Sequence, residues 1–213
     1  IYRNYFKNRE AANVNEIAVI YSEDAHYSMP KGADLLGLSS IVVPVDQSTR
    51  EISYELLNEK LDEHISKGFK YFIVILSMGT TMFGSVDNID KVCHVFNGKE
   101  VEYKVHIDAA FGGFIYPFSN SKSNICFLHP HVSSIVVDGH KMLQAPYGTG
   151  MFLIRKGYIH YVCTMEAQYL PGKDFTLCGS RSGANAVATW MILNMWGSEG
   201  WKAKIAELIK RTD

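Results

Sequence analysis

Cysteine is scarce in this sequence and never closely paired. Cys93, Cys126, Cys163 and Cys178 are the four cysteines among 213 residues, with no C-x-x-C between them. Neither a zinc site nor a disulfide framework is indicated, and no metal ligand set is expected. Reduced thiols in a cytoplasmic protein are the expectation. An excess of one charge is missing too. With 21 Lys and Arg against 22 Asp and Glu, there is no electrostatic case for a nucleic-acid partner. No apolar run, Tyr71–Leu76 included, approaches the roughly 20 residues of a membrane span, so no membrane association is expected. No basic stretch followed by an apolar one opens the chain as a secretory signal would. No G-x-G-x-x-G follows a strand-like run, which disfavours a dinucleotide site. Internal repeats, low-complexity segments and charge blocks are absent.

What is present suits one folded unit, or at most two small ones. Apolar residues make up 47% and charged residues 20%, far from a disordered composition. At this length roughly 70% of the unfolded surface is buried on folding. Ile17–Tyr21, Ile41–Val45, Tyr71–Ser77, Val105–Ile107, Ser134–Val137 and Met151–Ile154 lack polar alternation and predict buried strands. Between them, Leu56, Leu57, Leu61 and Ile65 set a helical stripe that Gly68 stops. Ile89, Val92, Cys93 and Phe96 set another, ended by Asn97-Gly98. Ala184–Trp196 is apolar nearly all round and predicts a buried helix, followed by an amphipathic one around Trp201–Ile209. This alternation predicts an α/β fold with a mostly parallel sheet and helices on both faces. Tyr2–Glu10 reads as the second half of an amphipathic helix, and Ile205–Arg211 as a helix without a stop. A chain truncated at both ends is therefore expected.

Ligands of open α/β sheets gather beyond the carboxyl ends of strands. Four polar clusters fall at such points: Ser22–Ser28, Gly79-Thr80-Thr81 with Gly84, Asp108-Ala109-Ala110 with Gly112-Gly113, and Asp138-Gly139-His140-Lys141. Lys141 is a candidate for Schiff-base chemistry, since desolvation exposes the free amine; taken alone, it reads first as a surface lysine on a turn. Asp108 ends an apolar run, so its carboxylate calls for a cationic partner, either a structural salt bridge or a protonated ring nitrogen. His26 offers a flat surface for a planar ring, or is an ordinary histidine. The small residues from Ala109 to Gly113 would let a ring approach the backbone. His106, two residues before Asp108 on the same strand face, either orients a neighbour or is inert.

Five segments carry a resemblance together. Asp24-Ala25-His26-Tyr27-Ser28 with Lys31, Gly79-Thr80-Thr81-x-x-Gly84-x-x-Asp87, His106–Phe114, Ser134–Met142 and Gly179-Ser180-Arg181-Ser182-Gly183 resemble the group II pyridoxal-5'-phosphate (PLP) decarboxylases. Within that group the chain is most similar to the archaeal-type tyrosine/aspartate decarboxylases, from about Tyr2 to its last residue. The resemblance implies a PLP fold-type I large domain and a homodimer with shared sites. It also implies decarboxylation of an L-amino acid of tyrosine, aspartate or glutamate type.

Roles follow from the same resemblance. Lys141 would carry PLP as a Schiff base, and Asp108 would keep the pyridine nitrogen protonated. His26 would stack on the ring opposite Ala110, near the substrate carboxylate. Thr80, not separable from Thr81, would hydrogen-bond beside the cofactor, and His140 would lie near its phosphate. Asp138 flanks the lysine where many relatives carry Asn-Pro or Asp-Pro, and a carboxylate should not sit unscreened beside a phosphate. Arg181 would bind cofactor phosphate or substrate carboxylate bidentately, or is a surface arginine. Tyr169, in the weakly patterned Tyr158–Cys178 segment that reads as a lid, would protonate the product carbanion, with Tyr161 as competitor. The family's phosphate-cradling segment is expected before residue 1 and a small domain after Asp213. Residues 1–213 would then be a large-domain core, inactive by itself. A sphingosine-phosphate-lyase-like aldehyde lyase and a non-catalytic dimerisation module are the alternatives.

Overall fold

Runs rich in Ile, Val and Leu pair into one sheet because each then buries side chains on both faces. The computed structural model describes residues 1–119, 124–163 and 172–212. Its strands are β1 (Ile17–Ser22), β2 (Ser39–Val43), β3 (Tyr71–Ser77), β4 (Glu102–Asp108), β5 (Val132–Asp138) and β6 (Gly150–Ile154). They lie in the order β2-β1-β3-β4-β5-β6. All neighbours are parallel except β5 and β6, which are antiparallel. The helices are α1 (Tyr2–Arg9), α2 (Ser28–Leu35), α3 (Tyr54–Ser66), α4 (Ile89–Phe96), α5 (Tyr116–Ser119) and α6 (Gly183–Thr212).

Helices cover both faces, as the alternation predicts. α3 and α4 bury Leu57, Leu61, Ile89, Val92 and Phe96 against Ile20, Phe72, Val74, Leu76 and Ile107. α1 and α2 bury Tyr2, Tyr5, Phe6 and Ala33 against Ile17, Val19, Tyr21, Ile73 and Ile75. Each of the two long amphipathic stripes starts at a capping side chain. Ser53 Oγ accepts the Leu56 N–H at 3.3 Å and Asn88 Oδ1 accepts the Lys91 N–H at 3.1 Å, satisfying amides that the first turn leaves open.

Three expectations need correction. β2 and β6 are not buried throughout: they form the sheet edges, and Val42, Phe152 and Leu153 stand in solvent. β4 alternates after all. Val105 and Ile107 face the α3/α4 core, while Glu102, Lys104, His106 and Asp108 lie on the opposite side, where α1 supplies partners. Tyr5 donates to Glu102 at 3.0 Å, and Lys104 pairs with Glu102 at 2.6 Å. Polar groups are tolerated there because each finds a hydrogen bond. Finally, α6 breaks at Gly197 (φ 56°), and its first half is not buried: Trp190, Met191 and Met195 are exposed. The described residues cover one side only, where Ile192 and Leu193 pack towards Leu143 and Trp201.

Candidate active site

From β1 the chain moves outward to β2, then returns to the other side of β1 with β3. The connections beyond β1 and β3 therefore leave in opposite directions and open a crevice. A cavity of about 190 Å³ lies there, lined by residues from the exits of β1, β3, β4 and β5, among them His26, Thr80, Thr81, Asp108, Ala110, Asp138 and Lys141. All four polar clusters marked by the sequence meet in it.

The β4 wall is set by close backbone approach. Asp108 pairs with Ser77 of β3 and Val136 of β5, and its Oδ1 accepts the Ala110 N–H at 3.1 Å. The exit from β4 turns tightly onto β3: Gly112 donates its N–H to the Met78 carbonyl at 3.0 Å, and a Cβ at Gly112 would sit 2.0 Å from that oxygen. Only glycine fits. The β5 wall carries the lysine. Gly139 donates to the Thr149 carbonyl at 3.0 Å, and a Cβ there would meet Thr149 Oγ1 at 2.8 Å, so the Asp138-Gly139 pair suits this tight β5–β6 connection. Lys141 Nζ stands 3.1 Å from Asp138 Oδ2. The Asp138 carboxylate thus faces the amine, and His140 Nε2 stands 3.8 Å from the same oxygen.

On the β1 side, His26 Nδ1 accepts the Ser28 N–H at 3.3 Å and lies 2.8 Å from Ser28 Oγ. That leaves Nε2 to carry the ring proton. From β3, Thr80 is buried, with its hydroxyl 2.8 Å from Ser85 Oγ; Thr81 is exposed. The two threonines are thereby separated: Thr80 builds the turn, and Thr81 has the open hydroxyl. Asp87, at the end of the same motif, accepts the Ile52 and Ser77 N–H groups at 2.8 Å each. Burial pushes its carboxyl up to about 6.

Other expected residues stand elsewhere. His140 is not among the lining residues; its Nδ1–H donates to the Thr149 carbonyl at 2.7 Å, which turns the ring away from the cavity. Arg181 also stands outside, its guanidinium donating to Thr176 Oγ1 and, at 2.7 Å, to the Cys178 carbonyl. Tyr161 packs edge-on against Tyr5 of α1, far along the sheet from the strand exits. Tyr169 lies outside the described residues. Ser77 and Val136 line the cavity unannounced by sequence; they are the register neighbours of Asp108, which only strand pairing reveals. Among the described residues, no group of His, Cys, Asp and Glu is arranged to hold a metal, and no helix is long and apolar enough to cross a membrane.

One amine (Lys141), one imidazole (His26) and two carboxylates (Asp108 and Asp138) thus line one space together with Ala110. That donor set fits a planar pyridine aldehyde: an amine to join the carbonyl, a carboxylate for the ring nitrogen and a flat ring for its face. The comparisons agree. The chain belongs to the pyridoxal-dependent decarboxylases: the family model described as the pyridoxal-dependent decarboxylase conserved domain matches residues 2–212. It is 53% identical over 212 residues to the tryptophan decarboxylase of Clostridium sporogenes, covering 100% of this chain and 51% of that protein. It is 31% identical to a "probable L-tyrosine/L-aspartate decarboxylase" of Methanosphaerula palustris, covering 93% of this chain and 53% of the other. The archaeal resemblance is thus real, and the bacterial relative shares more of the sequence. This chain spans about half the length of the curated relatives it matches.

Among solved structures, the sphingosine-1-phosphate lyase of Burkholderia pseudomallei superposes with a TM-score of 0.80 at 23% identity, over 96% of this chain and 46% of that one. The glutamate decarboxylase of Lactobacillus brevis gives 0.78 at 19%, over 95% and 46%. At these identities the likeness is one of fold. It leaves the lyase alternative without support beyond the shared scaffold.

Proposed function

We propose that the protein containing this chain is a PLP-dependent decarboxylase of an L-amino acid, and that residues 1–213 form the core of its cofactor-binding large domain. The observation that carries this reading is the convergence of Lys141, Asp108 and His26, from three strand exits, on one cavity. When bound, PLP supplies the electron sink for the pair left behind as CO2 departs. Lys141 offers Nζ for covalent attachment, and Asp138, the nearest carboxylate, is placed to take the proton that the amine must lose. Asp108 would keep a proton on the ring nitrogen by charge pairing. His26 would cover one face of the ring, with Nε2 available to the substrate carboxylate, and Ala110 would leave room at the other face. Thr80 holds the turn that carries Thr81 to the rim. His140, bonded to the Thr149 carbonyl, would support the lysine turn near the cofactor phosphate.

Arg181 is assigned to an anion, substrate carboxylate or cofactor phosphate, in a homodimer whose subunits share sites. Tyr169 is assigned to protonation of Cα after CO2 leaves. The substrate is an aromatic amino acid, tryptophan foremost, on the strength of the 53% identity to a tryptophan decarboxylase. Four cysteines far apart in sequence and without a C-x-x-C pair suit the cytoplasm.

The test is direct. The whole protein is incubated with PLP, reduced with borohydride and mapped by mass spectrometry. A phosphopyridoxyl group on Lys141, lost in Lys141→Ala, is expected. A folded protein with no adduct there would overturn the reading. Release of CO2 from tryptophan, tyrosine, aspartate and glutamate then ranks the substrates, and release of an aldehyde instead would favour the lyase.

A further inference from the structure

Asp108 ends β4 and His106 stands two residues before it, so both side chains leave the same strand face. His106 also belongs to a hydrogen-bonded chain that reaches α1. The Tyr2 hydroxyl donates to Ser134 Oγ at 2.5 Å, and Ser134 Oγ lies 2.7 Å from His106 Nδ1. Ser134 is fully buried and has a single proton to give. Among the described residues its hydroxyl meets Tyr2 and His106 Nδ1, so with Tyr2 as the donor its own proton is directed at Nδ1. Nδ1 is then an acceptor, and the imidazole proton sits on Nε2.

The surroundings bring little competing charge. From α1 comes Tyr2, whose burial raises its pKa and keeps it protonated. From β5 comes Ser134, from β6 the Phe152 ring at 6.0 Å, and from β3 the register neighbour Ile75. On β4 itself, Lys104 is engaged by Glu102 at 2.6 Å. That leaves Asp108 and, after it, the Ser134 backbone, which pull the imidazole towards its charged form; burial outweighs both and lowers its pKa to about 4.

We propose that His106 is a positioning residue for Asp108: the chain from Tyr2 through Ser134 holds one neutral tautomer of His106, so that no cation on this wall competes with the cofactor's ring nitrogen for the Asp108 carboxylate. The inference rests on the role given to Asp108 above. A cationic imidazole on the same face would pair with Asp108 and weaken its hold on the ring. Removing the Ser134 donor frees Nδ1 to take a proton, and the competition appears as the pH falls.

The experiment uses the whole protein with ¹⁵N-labelled histidine, the His106 signal being assigned by its loss in His106→Gln. Nitrogen shifts of wild type, with and without PLP, should show the neutral Nε2–H tautomer at pH 6. In Ser134→Ala, His106 should titrate closer to the ordinary histidine range. On dialysis, Ser134→Ala should release PLP about tenfold faster than wild type at pH 6, with the two rates converging at pH 8. Ser134→Cys, which keeps the size and a weak donor, should fall between. An Nδ1–H or cationic His106 in wild type at pH 6 would overturn the proposal. So would a Ser134→Ala variant that melts lower yet releases PLP as wild type does at both pH values. Wild type that takes up no PLP would overturn the proposed function and this inference with it; normal loading and release in both proteins overturns the inference alone.

Discussion

β3 and the first half of α6 are both apolar nearly throughout, and the molecule treats them oppositely. In β3 every side chain from Phe72 to Ser77 is buried, between α3/α4 on one face and α1/α2 on the other. In α6, Trp190 is 65% exposed and Met195 68%, with contact along one side. β3 lies inside the sheet, so both of its faces meet helices in this stretch of chain. α6 follows the last strand, beyond the antiparallel edge, and the described residues reach only its Leu143 side. An all-round apolar helix reports that it needs a cover, not that the cover lies within the same 213 residues.

That contrast can be broken by substitution. Phe72→Ala should cost the most, about 3–5 kcal/mol in urea unfolding, because it empties a fully buried ring site. A loss under about 1 kcal/mol would mean that the β3 core relaxes freely. Next come two titrating groups beside the strand ends, Asp87 and His106, which act in opposite directions. Asp87, raised to about 6, binds a proton in the folded state that the unfolded chain has already lost; its contribution is full below about pH 4 and disappears as pH rises through 6. His106, lowered to about 4, loses its contribution as pH falls from about 6.5 to 4. Each is worth on the order of 3 kcal/mol, so the two largely cancel in wild type. Asp87→Asn should therefore expose a stability that drops as pH falls from 6.5 to 4, and His106→Gln one that rises. Urea midpoints at pH 4.5 and 7 read both; parallel shifts in the two variants would contradict the assignment. The smallest effect is expected in α6, where Trp190→Ser should change the stability of the 213-residue chain by less than about 0.5 kcal/mol. A change above about 2 kcal/mol would show that this face is covered.

The central strands were legible because β1 and β3 are unbroken apolar runs, and the position of the candidate cavity was legible because strand exits fall where such runs stop. β4 was harder. Only Val105 and Ile107 stand out, and its polar face makes sense once the tyrosines of α1 lie over it. α2 went unannounced, since Pro30 and Gly32 weaken its helical signal; proline is tolerated there because it falls in the first turn, where its missing N–H would be unpaired anyway. The edge exposure of β2 and β6 depends on sheet order, which no local window contains. The same holds for Ser134 as a partner of His106, and for Arg181, whose motif was readable while its contacts in this chain go to its own loop. Residues defined by one segment could be named from sequence. Those defined by pairing could not.

The Tyr2–Ser134 contact spans 132 positions, and that separation has a consequence for synthesis. At ribosomal rates of roughly 5–20 residues per second, on the order of ten seconds pass between the emergence of α1 and that of β5. Throughout that interval Tyr2, Tyr5 and Phe6 have no completed sheet to cover. Parallel pairing adds to the delay, because each neighbour must wait for its crossover. The wall behind Asp108 is thus closed late, by the docking of a helix made early, and chaperones that shield aromatic segments on nascent chains have a long window at this helix.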